Sequence, residues 1–238
     1  MNRYKEGYIF RVRDDGKLGW LSERMFAPHT RYVHHGLVSR FYRHERGGRG
    51  DYMTVESIGK GVTTGRLYED YIDKGKEVQI LRHTDPKKRA YSSLIVSEAT
   101  RMGDIHYDYL LCAYLIGSVI WKLAHFKKPP YTPEDFRYRV DGQVICTELV
   151  AESAERAGTL VNMDLRYVPP DLLPFPCLFE RALIDGTLEV CGHHRRCSCG
   201  QLIHLDYGWR NETGERHWCD FIQTTPLAGL TASFEGIL

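Results

Sequence analysis

The chain has 238 residues, room for one full domain and a small appendix, with 42% hydrophobic and 26% charged residues, the ordinary mix of a globular protein. A formal charge of +1 gives no global electrostatic drive toward nucleic acid or an acidic membrane surface. The N-terminal MNRYKEGYIF has no apolar signal core, and the longest apolar run, Leu110 to Ile120, is too short to span a bilayer, so the expected location is the cytoplasm.

In chain order, Gly7 to Val12 predicts a first strand and Asp14-Asp15-Gly16 a turn. Tyr32 to Tyr42, YVHHGLVSRFY, is rich in β-branched and aromatic residues and predicts a second strand. Tyr52 to Ile58 alternates as a third, followed by a glycine-punctuated link to a short helix near Leu67–Ile72. Glu77 to Arg82 predicts a fourth strand. Pro86 opens a helix reaching about Met102, with Gly103 just beyond its end. Tyr107 to His125 is apolar nearly all round and predicts a second, buried helix; the proline-rich segment 127–143 predicts a loop. Gln143 to Gly158, QVICTELVAESAERAG, places Ile145, Leu149, Val150, Ala154 and Ala157 at helical spacing, with Gly158 as C-terminal cap. Prolines 169, 170, 174 and 176 mark the edge of this α+β unit, giving expected boundaries of 1–180 for a main domain, 187–222 for an appendix and 223–238 for a tail.

Cys146 carries the strongest chemical signal. A cysteine in the first turn of a helix faces unpaired backbone N–H groups and the positive end of the dipole, which favour the nucleophilic thiolate. A thiolate nucleophile needs an imidazole and a group to orient it. His34 and His35 are the candidates; on a strand they point to opposite faces, so only one can serve. Glu56, an acid within the third strand, could orient that ring if the two strands are neighbours. The bland readings are a packed Cys146, core or loop roles for Cys112 and Cys177, helix capping by Asp104 or Asp108 beside His106, and a solvated face or N-terminal charge stabilisation for Glu148 and Glu152. Arg31, Arg40, Arg43, Arg46 and Arg49 flank the His strand as a solvated loop or as a recognition surface for an anionic substrate.

HHGLV, TVESIGKGV, ICTELVAESAERAG and VPPDL, in this order, resemble the His strand, the acid-bearing segment, the nucleophile helix and the following turn of the circularly permuted NlpC-type papain-like cysteine hydrolases, the YiiX-like group. The resemblance covers roughly residues 5 to 176 and implies a permuted papain-like fold. It implies His34 as base, Glu56 as orienting carboxylate and Cys146 as nucleophile, attacking an amide or (thio)ester carbonyl with no cofactor for catalysis. The substrate would be a small molecule, peptide or lipid carrying an acyl or amide group. Tyr8 replaces a common acidic residue and Thr147 a common serine, neither of them a triad member. The alternatives from other classes are a catalytically idle papain-like binding domain and an adaptor whose C-terminal module binds protein or nucleic acid.

That module is CGHHRRCSCGQLIHLDYGWRNETGERHWC, residues 191–219. Cys197-x-Cys199 and His217-x-Cys219, separated by a strand-turn-strand segment, read as the ligand pairs of a zinc ribbon and predict a structural zinc. Cys191, His193, His194 and His204 are possible substitutes. Arg195, Arg196, Arg210 and Arg216 stand against Asp206, Glu212 and Glu215, too weak an excess for a phosphate-tracking surface.

Overall fold

The computed structural model describes residues 4–17, 19–20, 23, 30–43, 50–113, 117, 124–125, 143–159, 177–196, 202–204 and 210–211. They form an α+β structure around an antiparallel sheet. Its strands are β1 (Ile9–Arg13), β2 (Tyr32–Tyr42), β3 (Asp51–Ile58), β4 (Gly61–Arg66), β5 (Val78–His83), β8 (Leu188–Arg196), β9 (Leu202–His204) and β10 (Arg210–Asn211), in the spatial order β10-β9-β8-β5-β1-β2-β3-β4. Two short strands, β6 (His106–Tyr107) and β7 (Gln143–Val144), pair in parallel outside it. Helices α1 (Pro86–Ala90), α2 (Ser92–Arg101), α3 (Cys146–Arg156) and α4 (Cys177–Ile184) accompany the sheet, with a π-helix at Tyr68–Ile72.

Both faces of the sheet are covered, which explains why its central strands are not simple alternations of apolar and polar residues. On one face Ile9, Leu37, Val55 and Leu81 pack against Ile95, Val96 and Ala99 of α2, Leu149, Val150, Ala151 and Ala154 of α3, and Leu178, Phe179 and Ala182 of α4. On the other, Phe10, Val12, Val38, Val78 and Ile80 pack against Tyr4, Tyr8, Leu67 and Ile72. Arg11 points to the helical face, where a lone guanidinium would be costly. It is satisfied instead by Glu180 at 2.7 Å and Gln79 at 2.9 Å, and lies 4.1 Å from the ring centroid of Tyr32.

β2 spans the expected residues, and α3 ends as expected. Gly158 adopts φ +66°, its N–H bonds to the Glu155 carbonyl, and the Thr159 N–H bonds to that of Ala154, a Schellman cap. Four expectations are corrected. The link after Ile58 contains β4, paired along its length with β3 across the Gly59-Lys60 turn; Val62, Thr63 and Thr64 supply the β-branched residues that the flanking glycines obscured. The helix after Pro86 is broken at Tyr91 into α1 and α2. The segment after Asp108 is helical at 109–113, but Tyr109 and Leu110 are 62% and 52% exposed while Leu111 is buried, so an apolar residue type did not imply burial here.

The fourth correction concerns the boundary at 187. β8 pairs with β5 from Val78↔His194 to His83↔Leu188 and belongs to the main sheet. Its histidines, read as possible metal ligands, are sheet residues: the His193 ring meets Glu77 at 2.8 Å and the His194 ring meets the Tyr4 hydroxyl at 2.6 Å.

Gly36 shows how tightly the layers fit. A Cβ there would lie 2.5 Å from the Phe10 ring and 3.0 Å from Glu56 Cβ. Gly36→Ala is therefore expected to lower stability by about 1–3 kcal/mol, the usual cost of overpacking, read as a fall in the urea midpoint at unchanged slope. An unchanged midpoint would show that the site has slack that the geometry denies.

Candidate active site

The β2–β3 pairing begins at Gly36↔Glu56. The Val38 N–H bonds to the Tyr8 carbonyl on the β1 side, so alternate residues His35 and Val33 direct their backbone groups toward β3. Beyond Gly36 the two strands part, and the segment entering α3 fills the gap. Ser57 on the β3 side donates its hydroxyl to the Val144 carbonyl at 2.8 Å. On the β2 side the Cys146 thiol lies 3.7 Å from the Val33 carbonyl. Helix α3 thus packs on one face while its first residue reaches the gap.

His34 approaches from the other face. Its paired residue Val12, the diagonal neighbour Phe10 and the site residue Glu56 all share that face, as the register requires. His34 Nε2 lies 2.6 Å from Glu56 Oε2, and the ring is close enough to the Cys146 sulfur for each group to shift the other's ionisation. The structure therefore brings together Cys146, His34 and Glu56. His35 points to the helical face, fully buried, stacked on Phe179 at 4.4 Å, with Nδ1 3.5 Å from the Thr147 hydroxyl. Burial, aided by Arg11 and His34, pushes its pKa well down, so it stays neutral and is a packed histidine.

Two residues joined the cluster without a sequence signal recognised for them. Thr54, two residues before Glu56 and hence on the same face, donates to Glu56 Oε1 at 2.9 Å. Tyr71 of the π-helix donates to Glu56 Oε2, lies 3.0 Å from His34 Nε2, and stacks on the His34 ring with centroids 5.6 Å apart. Period-two alternation could have found Thr54; nothing local to YEDYI marks Tyr71, which is brought in by the fold. Room for the carboxylate comes from Gly65 on β4, where a Cβ would sit 2.5 Å from Glu56 Oε1.

Electrostatics follow from these contacts. Burial opposes a charged His34, but the hydrogen bonds and negative charges of Cys146 and Glu56 push its pKa up to about 10. Burial also opposes the Cys146 thiolate, and the hydrogen bond and charge of His34, the His35 backbone and the Thr147 hydroxyl outweigh it, holding the thiol below its ordinary value. Burial raises Glu56, whereas His34, Tyr71 and Thr54 hold it below the usual carboxylate range. The two shifts, imidazole up and thiol down, both favour transfer of the proton from Cys146 to His34. Cys146 is buried, 7% exposed, and the His34 side chain is 22% exposed.

Glu148 is buried, and its carboxylate accepts the Ile145 N–H at 3.2 Å, so it stabilises the N-terminus of α3. Asp108 accepts the Leu111 N–H at 2.7 Å and caps the following helix. Cys112 is half-buried beside the Tyr107 hydroxyl at 3.3 Å; burial pushes its thiol up, the opposite of Cys146. Arg31 is bonded to Glu23, and Arg40 stands exposed toward the far end of β2. An open cleft of about 730 Å³ lined by Arg40, Tyr42, Arg66, Glu69 and Asp70 includes no triad residue.

The expected zinc ligands Cys197, Cys199, His217 and Cys219 lie outside the described residues. Among the described residues no group of three or more His, Cys, Asp or Glu is placed to hold a metal ion, and no helix is long and apolar enough to cross a membrane. Comparison with known protein families, curated proteins and solved structures found no match.

Because Glu56 holds the proton on His34, Glu56→Gln is expected to bring the imidazole down from about 10 by roughly one to three pH units. NMR titration of the ring measures it. The sign for stability follows: a raised imidazole pKa contributes stability in full below the ordinary value near 6.5, and that contribution fades as pH rises through about 10. The Gln variant should lose part of it at pH 7 and 8.

Proposed function

We propose that the protein is a cysteine hydrolase that cleaves an amide or (thio)ester through a thioester on Cys146. One observation carries this reading: a cysteine at the first position of α3 and a histidine from the opposite face of the sheet lie close enough to shift each other's ionisation, and the histidine is bonded to a buried carboxylate. A packed cysteine does not need an imidazole, and a packed histidine does not need a buried carboxylate. The order of residues, base and acid before nucleophile, and the antiparallel sheet support a permuted papain-like architecture of the YiiX-like kind.

In the proposed reaction the Cys146 thiolate attacks the carbonyl carbon. The oxyanion forms near the N-terminus of α3, where the Cys146 backbone N–H is a candidate donor. The His34 imidazolium gives its proton to the leaving group. Neutral His34 then takes a proton from water, which attacks the thioester and releases the acid and the thiolate. Glu56 keeps the ring oriented and stabilises its charged form without itself taking the proton. The substrate class stays as broad as this chemistry: a molecule with an accessible acyl or amide carbonyl.

Iodoacetamide at mildly acidic pH is expected to alkylate Cys146 well ahead of Cys112, since only the former is held as a thiolate. With p-nitrophenyl acetate as probe, a burst of about one nitrophenol per chain should precede turnover. Cys146→Ala should abolish the burst, and His34→Ala should slow acylation by about 10²-fold or more. Wild-type turnover in Cys146→Ala, or alkylation of Cys146 no faster than Cys112, would overturn the reading.

For the C-terminal segment we propose a structural zinc held by Cys197, Cys199, His217 and Cys219, supported by their spacing in the sequence. Metal analysis of purified protein should return about one zinc per chain. A fully folded, metal-free preparation would exclude it.

A further inference from the structure

We infer that Tyr71 is a fourth, positioning member of the site: its hydroxyl, shared between Glu56 and His34, keeps the carboxylate ionised and the imidazole ring aligned with Cys146. The inference rests on the reading of Cys146 as the nucleophile.

Three observations carry it. The first is the contact set. One hydroxyl donates to Glu56 Oε2, the same oxygen that His34 Nε2 approaches to 2.6 Å, and lies 3.0 Å from that nitrogen. Glu56 Oε2 thereby accepts from a phenol and an imidazole at once, and Oε1 accepts from Thr54. A carboxylate with three donors resists protonation. The second is the ring stack. Tyr71 and His34 lie 26° from parallel, and Phe10 packs on both, so His34 cannot swing away from the gap without displacing two aromatic rings.

The third is how firmly Tyr71 is held. The π-helix is a rare local geometry that occurs frequently at functional sites. Here the buried Asp51 carboxylate accepts the Tyr68 N–H at 2.9 Å and the Glu69 N–H at 3.1 Å, fixing one end, while the Tyr71 carbonyl accepts the Lys76 N–H at 3.0 Å. Burial and the charge of Glu56 push the phenol upward, so it remains a neutral donor throughout the range in which the thiolate works.

Removing only the hydroxyl leaves the rings stacked and takes one donor from Glu56. The carboxylate then gains its proton at higher pH, and the imidazolium and thiolate it supports are lost at higher pH with it. The test is the pH profile of Cys146 alkylation by iodoacetamide, resolved by peptide mass spectrometry. Tyr71→Phe is expected to raise the midpoint of the acid limb by about half to one pH unit, the size of one hydrogen bond. In a Glu56→Gln background the same change should produce no further shift, because Tyr71 acts through that carboxylate. A 3-fluorotyrosine at position 71, a stronger donor of the same shape, should move the limb the other way, and it guards against a Phe variant that folds poorly. An unshifted limb in both variants, or an equal shift with and without Glu56, would overturn the inference while a fast wild-type Cys146 left the hydrolase reading standing. A wild-type Cys146 no faster than Cys112 would sink both.

Discussion

A carboxylate buried in a β-sheet is tolerable only if its charge is used, and Glu56 is the point on which the site depends. Its two oxygens gather a threonine from its own strand, a histidine from the next strand and a tyrosine from the π-helix. Each donor would be an ordinary surface or core residue without it. With it, the pKa of a ring that burial would keep neutral is pushed up, and that ring in turn pulls the pKa of a buried thiol down. The chain of cause runs from one acid to the reactivity of an atom that it does not touch.

The sheet makes this chain possible by failing to pair. Below Gly36 the backbone of β2 has lost β3 as a partner, and a sheet strand with unpaired groups would normally be a liability. Here the start of α3 occupies the opening, with Ser57 gripping Val144 on one side and Val33 facing the thiol on the other. The separate apolar layers on the two faces then act as independent clamps, one on α3 and one on the histidine.

How much of this could be read from the sequence divides along the range of the interactions. β2 and the ends of α3 were legible because a β-branched, aromatic run and a glycine after an amphipathic segment are local signals. His34, Glu56 and Cys146 were legible together through the order of short motifs that resemble a known group, although their convergence needs a register that no local pattern encodes. Thr54 was within reach of alternation. Tyr71 was not: a tyrosine in an acidic turn has no signature, and only the packing of the π-helix on the sheet brings it to His34. β4 was hidden by its glycines, one of which is needed to leave room for the Glu56 carboxylate. β8 was hidden because histidines and cysteines draw attention as metal ligands even when two of the rings are satisfied within the sheet.

The seat of the Cys146 sulfur combines main-chain groups, the Val33 carbonyl and the His35 amide, with the Thr147 hydroxyl and one imidazole. Main-chain groups are the same whatever side chains they carry. Any residue content with an extended backbone could stand at position 33, and much of the apolar packing on either face could be exchanged for other shapes of similar volume. The positions that the chemistry pins are few and widely spaced along the chain. A protein built this way can drift far in sequence while its reacting atoms stay where they are.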